Sequence, residues 1–280
     1  MPVRRVSGLN GDWHAGLEEK IRSMNDIDQR IESLDTSLFD GVLAASTKGD
    51  RRSLLLLQRC VRRSGEYVYL EIGSYLGGSM QQILLDRRCR LIYSIDKRPP
   101  VQADQMRGEG SYTNNSTQQM IDGLRNTFPE AQLEIIKTFD CDASELDPAQ
   151  FIPKPDFCFI DGEHTNRAVV SDFSFCLGVS APDSVIALHD ANIIFGGLSL
   201  IKRRLRDRRW QGYLLPDNVY VFLLERAIDR FGSEVRRFSL PQASYFLRAK
   251  WTMFRVRLAL GKRFVLARRI WRLTKKSIGR

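Results

Sequence analysis

No apolar run in this 280-residue chain approaches the roughly 18 to 20 residues that a membrane-spanning helix requires. The amino terminus holds two arginines but no following apolar region, so a secretory leader is not expected and a cytoplasmic location is. Cysteine is sparse. Cys60, Cys89, Cys141, Cys158 and Cys176 show no C-x-x-C spacing, which argues against zinc and disulfide frameworks and for small buried hydrophobes in a reducing compartment. Histidine is scarcer, at three residues, so each one placed beside an acid is informative. Acids are absent from Arg236 onward, where 14 Lys and Arg stand alone. Residues 1–235 hold 29 basic and 33 acidic residues, so the formal charge of +10 resides in that tail. A hydrophobic fraction of 43 % excludes wholesale disorder, and the length suits one globular domain with additions.

The run from Tyr67 to Ser79 carries the most information. An apolar strand ends in Glu71 and opens at once into a turn containing Gly73, Gly77 and Gly78. Gly73 can take a backbone conformation closed to bulkier residues, and the later pair let a helix start close against a ligand. The turn matches neither G-x-G-x-x-G nor G-x-x-x-x-G-K-[ST], so it lacks a phosphate cradle.

Further strand ends repeat the theme. After a helix expected from Gly78 to Asp86, the strand 91–95 ends in Asp96, placed to accept both hydroxyls of a ribose. A third strand, Leu133–Ile136, leads into Phe139–Ala143 with Asp142; a fourth, from Phe157, ends in Asp161; a fifth, from Ser184, ends in His189 and Asp190. In an open α/β sheet, ligands collect outside the carboxyl ends of the strands, so these acids are expected to converge on one crevice. The expected fold is a doubly wound, Rossmann-like, mostly parallel seven-stranded sheet with an antiparallel last strand.

The turn at Glu71–Ser79 resembles the first motif of class I S-adenosylmethionine-dependent methyltransferases. The pairing of Ile160-Asp-Gly-Glu-His164 with Leu188-His-Asp190 is similar to the methyltransferase family 24 type, which includes cephalosporin-hydroxylase-like proteins and macrolide sugar O-methyltransferases. The resemblance spans roughly residues 53–225. It implies that Glu71, Gly73, Ser74, Gly77, Ser79, Asp96, Asp142 and Asp161 bind S-adenosyl-L-methionine. It also implies that Asp161 and Asp190 bind a divalent metal such as Mg2+, and that His164 is the general base. Where the macrolide enzymes have glutamate before the last aspartate this chain has His189, and where catechol-type enzymes have asparagine after it this chain has Ala191 and then Asn192; His189 is taken as the third ligand, at a position that departs from the family pattern.

The chemistry is consistent with this. Methyl transfer from a sulfonium to a hydroxyl is an in-line displacement in which the alcohol must lose a proton. An oxygen-rich metal site and a base assist it. Other roles fit the same residues: His164 as a solvated loop residue or a cap on the next helix, His189 as an orienting group, and Asp161 and Asp190 as ligands of a cofactor or substrate ammonium without metal.

Flanking segments complete the organisation: 1–50 helical, 51–226 the cofactor-binding domain, and 227–280 a basic, aromatic-containing helical tail. Leu17, Ile21, Met24, Ile27, Ile31 and Leu34 recur at helical spacing, suited to covering the sheet, closing over the crevice or pairing with another subunit. A helix from Asp50 to Arg63 precedes the first strand, and residues 213–215 and 219–224 form an antiparallel pair around Pro216-Asp-Asn218. In the tail, Arg248, Arg255, Lys262, Arg269 and Lys276 recur every seven residues with aromatics between. Three partners suit it: an anionic membrane at the inner face, the protein's own core, or nucleic acid.

The expected function is O-methylation of a hydroxyl on a sugar, glycan or related polar metabolite, in a chain compatible with a homo-oligomer. Two alternatives are an RNA methyltransferase, disfavoured because no asparagine- or aspartate-proline-proline-aromatic tetrad follows the fourth strand, and a non-catalytic member of the same fold.

Overall fold

A computed structural model describes residues 26–113, 115–256 and 258–259. Seven strands form one sheet in the order β5-β2-β1-β6-β7-β9-β8. They are β1 (Tyr67–Ile72), β2 (Cys89–Ile95), β5 (Ile136–Phe139), β6 (Phe157–Ile160), β7 (Val185–Leu188), β8 (Trp210–Leu214) and β9 (Tyr220–Leu224). The first five run parallel, and β9 pairs antiparallel with both β7 and β8, as the alternating pattern and the Pro216-Asp-Asn218 turn predict.

β1, β6 and β7 are buried along their whole length, the condition of central strands covered on both faces. Strand alternation divides their side chains between two cores. Tyr67 and Tyr69 enter one with helix α2 (Lys48–Arg62), and Val68, Leu70 and Ile72 enter the other with α6 (Asn166–Val179) and α7 (Phe195–Arg204). The register aligns Ile72 with Ile95 and Ile160, and Ile160 with Leu188. The residues that follow these four positions, Gly73, Asp96, Asp161 and His189, therefore stand along one edge of the sheet.

Helix α2 begins one turn before the apolar run because Thr47 and Asp50 form a reciprocal capping box. At its other end Arg62 is buried, donates to Asp86 at 2.9 Å, and pairs with Asp28 on α1, a helix over residues 26–32. That ion cluster holds α1 on the sheet's helical layer; the earlier positions Leu17, Ile21 and Met24 of the expected helix lie outside the described residues.

Several boundaries differ from expectation, the first strands and α2 by one to three residues and others by more. The helix after the glycine turn, α3, is confined to Gln81–Leu85 because Gly77, at φ +78°, and residues 78–80 still form the turn. The third strand starts at Ile136, since Leu133 instead closes a short helix, α5 (Glu130–Leu133), behind Pro129. Residues 101–116 contain a hairpin, β3 (Val101–Asp104) with β4 (Gly108–Ser111), followed by the start of α4 (Thr117–Arg125) at its Ser116 cap. Finally, α8 (Arg226–Phe238) buries Ala227, Phe231 and Val235 in the core shared with α2, so packing continues past β9. Helix α9, over residues 242–256, lies beyond it.

Candidate functional site

The turn after β1 is built for close approach. Gly73 has φ +89°, and a Cβ there would meet the Asp161 carbonyl oxygen at 2.3 Å, so the β1 and β6 ends touch backbone to backbone. Ser74 is buried with its hydroxyl 2.7 Å from that of Ser94. Glu71 is fully buried, accepts from Tyr69 Oη at 2.9 Å and is hydrogen-bonded by Ser79. Burial raises its pKa to about 8 against those two hydrogen bonds, so the unliganded protein holds it largely neutral. Its carboxyl and Ser79 thus secure the turn from beneath. Gly77 faces the Leu124 side chain instead of open space.

Asp96 ends β2 with both oxygens committed to backbone: Oδ2 accepts from Tyr75 N and Oδ1 from Arg98 N, each at 2.8 Å. Arg98 continues the clamp by donating to Tyr75 O, Asn115 Oδ1 and Thr117 Oγ1. Asp142 caps the short turn after β5 by accepting from Ser144, and this lowers its pKa. Between these groups lies a cavity of about 340 Å³ lined by Gly73, Asp96, Lys97, Asp142, Gly162 and Asp172. A space of this size with polar groups at its edges fits a nucleoside-sized ligand. Asp172, on α6, is buried with no hydrogen bond to another described residue, and burial, reinforced by Asp142, pushes its pKa to about 7.

Beside this cavity stands a cluster of acids and imidazoles. Asp161 Oδ1 lies 2.9 Å from His189 Nδ1 and 3.4 Å from His164 Nε2, and His164 Nε2 is also 3.4 Å from Asp190 Oδ2. His189 Nε2 is 3.2 Å from Asp50 Oδ2, outside hydrogen-bond alignment. His164 Nδ1 faces Asp104 at 3.9 Å, and the Gln105 amide donates to the His164 carbonyl at 2.9 Å, fastening the β3–β4 hairpin to the site. Burial opposes a charge on His189, but Asp161, then Asp50 and Asp190, outweigh it and hold the imidazole protonated. The same contest raises His164, mainly through Asp161. Burial opposes the charge of Asp161, yet the two imidazoles hold its carboxyl well below the usual range, whereas burial wins at Asp190 and raises it.

The same geometry tests the expected metal. A ligating imidazole must offer a bare nitrogen; His189 Nδ1 is engaged by Asp161 at 2.9 Å, while its buried Nε2 lies near Asp50 without an aligned hydrogen bond. Asp161 Oδ1 is taken up by two imidazoles. Among the described residues no group of three or more His, Cys, Asp or Glu side chains is arranged to hold a metal ion. Asp161, Asp190 and His189 thus form a network of ion pairs and hydrogen bonds, and not a preformed metal site, among the described residues.

A second cavity, of about 190 Å³, opens among Met106, Asn192, Asn218, Tyr245, Arg248 and Thr252. Chain neighbours of the cluster line both spaces: Gly162 borders the first, and Asn192 and Met106 border the second. Sequence reasoning missed Asp50, Lys97, Arg98, Asp104 and Asp172. Only Asp50 carried a local signal, the Thr47-x-x-Asp50 cap.

Comparisons with known proteins agree with this architecture. Residues 70–191 match the family model described as a methyltransferase domain. Among solved structures, the O-methyltransferase NovP superposes with a TM-score of 0.51 at 12% identity, covering 65% of this chain and 84% of its own. A calicheamicin methyltransferase gives 0.49 at 14% identity, covering 74% and 92% of the two chains. An O-methyltransferase from Bacillus cereus gives 0.45 at 12% identity, covering 73% and 91%. No curated protein matches the chain. The matched segment runs from the end of β1 to just past β7, and so contains Glu71, Asp96, Asp142, Asp161 and Asp190. Residues 70–191 are thus a methyltransferase domain of the family that this model describes, the class I S-adenosylmethionine-dependent kind.

Proposed function

We propose that the protein methylates a hydroxyl oxygen of a sugar, glycan or related polar metabolite, with His164 as the general base. One observation carries the reading: His164 Nε2 stands 3.4 Å from both Asp161 and Asp190, in a cluster whose chain neighbours Glu163 and Asn192 line the two cavities. S-adenosylmethionine, when bound, supplies a methyl group on a positively charged sulfur. The crevice fits it through the close backbone approach at Gly73, the anchored Asp96 beside the ribose position, and Asp142 at the adenine end.

The acceptor oxygen attacks the methyl carbon, the carbon–sulfur bond breaks, and a methyl ether and S-adenosylhomocysteine result. The hydroxyl proton passes to His164 Nε2. Asp161 and Asp190 stabilise the imidazolium that forms, and His189, held protonated by Asp161 and Asp50, fixes the Asp161 carboxylate in place. A neutral His164 is required, and its pKa is raised above the ordinary 6.5, so turnover should climb as pH rises through that raised value. The second cavity offers Asn192, Asn218, Tyr245 and Thr252 as hydrogen-bonding groups, a lining that suits a polyhydroxylated acceptor.

A test is to incubate the protein with S-adenosylmethionine and a panel of sugars, glycans and phenols, reading S-adenosylhomocysteine and the methylated product by mass. Methyl ether on a sugar hydroxyl supports the reading; methyl on nitrogen or carbon alone, or on RNA, contradicts it.

A further inference from the structure

Helix α9 has two unlike faces. Inward, Ala249 and Met253 are buried, Phe246 packs 6.1 Å from the Tyr220 ring, and Tyr245 Oη donates to Asn218 Oδ1 at 2.6 Å. Outward, Leu247, Trp251, Phe254 and Leu258 are 71%, 61%, 56% and 49% exposed. Their spacing of four, three and four residues puts them on one stripe, and the Trp251 and Phe254 rings stack at 5.8 Å. Lys250 and Arg255 flank the stripe in exposed positions. Nothing acidic offsets them anywhere from residue 236 to 280, a stretch with 14 Lys and Arg.

An apolar stripe of aromatic and leucine side chains bordered only by cations has the chemistry of an interfacial helix on an anionic bilayer. Among the described residues no helix is long and apolar enough to cross a membrane, so attachment here is peripheral. The inward side of the same helix supplies Tyr245, Arg248, Ala249 and Thr252 to the second cavity. We propose that α9 is a membrane-docking surface, its outward stripe seated in the headgroup region of an anionic bilayer. On the reading of the second cavity as the acceptor site, this seats that cavity at the lipid surface, and the acceptor is the polar head of a membrane-borne molecule. Charge complementarity selects the bilayer over a neutral protein partner, and the exposed Leu247 and Leu258 in line with the rings select it over a nucleic acid, whose bases stack on aromatics and whose backbone engages cations but which offers nothing to leucines.

Co-sedimentation of the full-length protein with vesicles tests this without any dependence on activity. Vesicles of phosphatidylcholine alone are compared with vesicles containing phosphatidylglycerol, at low and high salt. Binding of S-adenosylhomocysteine, followed by calorimetry, reports that each variant is folded. The expected result is partitioning to the anionic vesicles at least about tenfold stronger than to neutral ones, weakened by salt. W251E/F254E should lose it while keeping nucleoside binding, and K250E/R255E should weaken it on anionic vesicles only. The proposal is overturned if the wild type ignores anionic vesicles, or if W251E/F254E partitions as the wild type does. It also fails if W251E/F254E changes only the oligomeric state, which assigns the stripe to a second copy, or only the affinity for RNA.

Discussion

His189 Nδ1 and Asp161 Oδ1 stand 2.9 Å apart at the ends of neighbouring strands, and the same carboxylate oxygen lies 3.4 Å from His164 Nε2. One anion thus serves two imidazoles with different surroundings. His189 is enclosed between Asp161 and Asp50, while His164 spans Asp161, Asp190 and the hairpin residue Asp104. Enclosure holds the first protonated, and the proposed mechanism gives the other the proton-accepting role.

Gly73→Ala should destabilise the fold and weaken nucleoside binding together. The left-handed backbone at φ +89° costs a non-glycine residue about 1–2 kcal/mol, and the added Cβ meets the Asp161 carbonyl, which is backbone and cannot swing away. Thermal unfolding reads the first effect and calorimetry the second. A variant that melts with the wild type would refute the close approach.

Glu71→Gln should change how stability depends on pH. The carboxyl is held neutral in the folded protein up to about 8, whereas an unfolded chain releases the proton near the ordinary 4.5. Between those values the unfolded state binds fewer protons, so this group's contribution to stability falls as pH rises. With glutamine that fall disappears. Denaturant midpoints across the window should decline less steeply in the variant, and parallel curves would count against a buried neutral Glu71.

Asp172 should take part in binding the nucleoside. Its carboxyl lines the first cavity with no described hydrogen-bond partner, and with a pKa near 7 it can donate as well as accept. Asp172→Leu should weaken S-adenosylhomocysteine binding at least about tenfold, whereas Asp172→Asn, which keeps a donor and an acceptor, should stay within a fewfold. Equal binding by the leucine variant would make Asp172 a bystander.

On the proposed mechanism, exhaustive chelation should leave turnover within about twofold, since His189 Nδ1 and Asp161 Oδ1 already engage each other and the acceptor proton goes to His164. Loss of activity restored by magnesium would require His189 to turn away from Asp161, and would reinstate Asp161 and Asp190 as ligands.

Much of the framework was legible in the sequence because each central strand is an apolar run closed by an acid, a local signal that needs no partner. Glu71, Asp96, Asp161 and Asp190 all stand at the sheet edge where those runs end. Boundaries failed where one residue suited two states: Leu133 is buried whether it ends a helix or starts a strand. Residues 101–116 have the composition of a polar loop, since the contact that orders them, Gln105 to the His164 carbonyl, joins distant parts of the chain. Asp50 was invisible as a site residue for the same reason. Its partner His189 is brought near only by the sheet.

The most direct measurement is calorimetric titration with S-adenosylmethionine of the wild type, Asp96→Ala and His164→Ala, alongside turnover on an identified acceptor. Asp96→Ala should weaken binding by at least about a hundredfold, because it removes the proposed ribose acceptor, the tie to Tyr75 in the glycine turn and the tie to Arg98. His164→Ala should bind as the wild type does and turn over about 10²- to 10⁴-fold more slowly. Equal loss of binding in both variants, or full turnover without His164, would contradict the division between a nucleoside-holding acid and a proton-accepting imidazole.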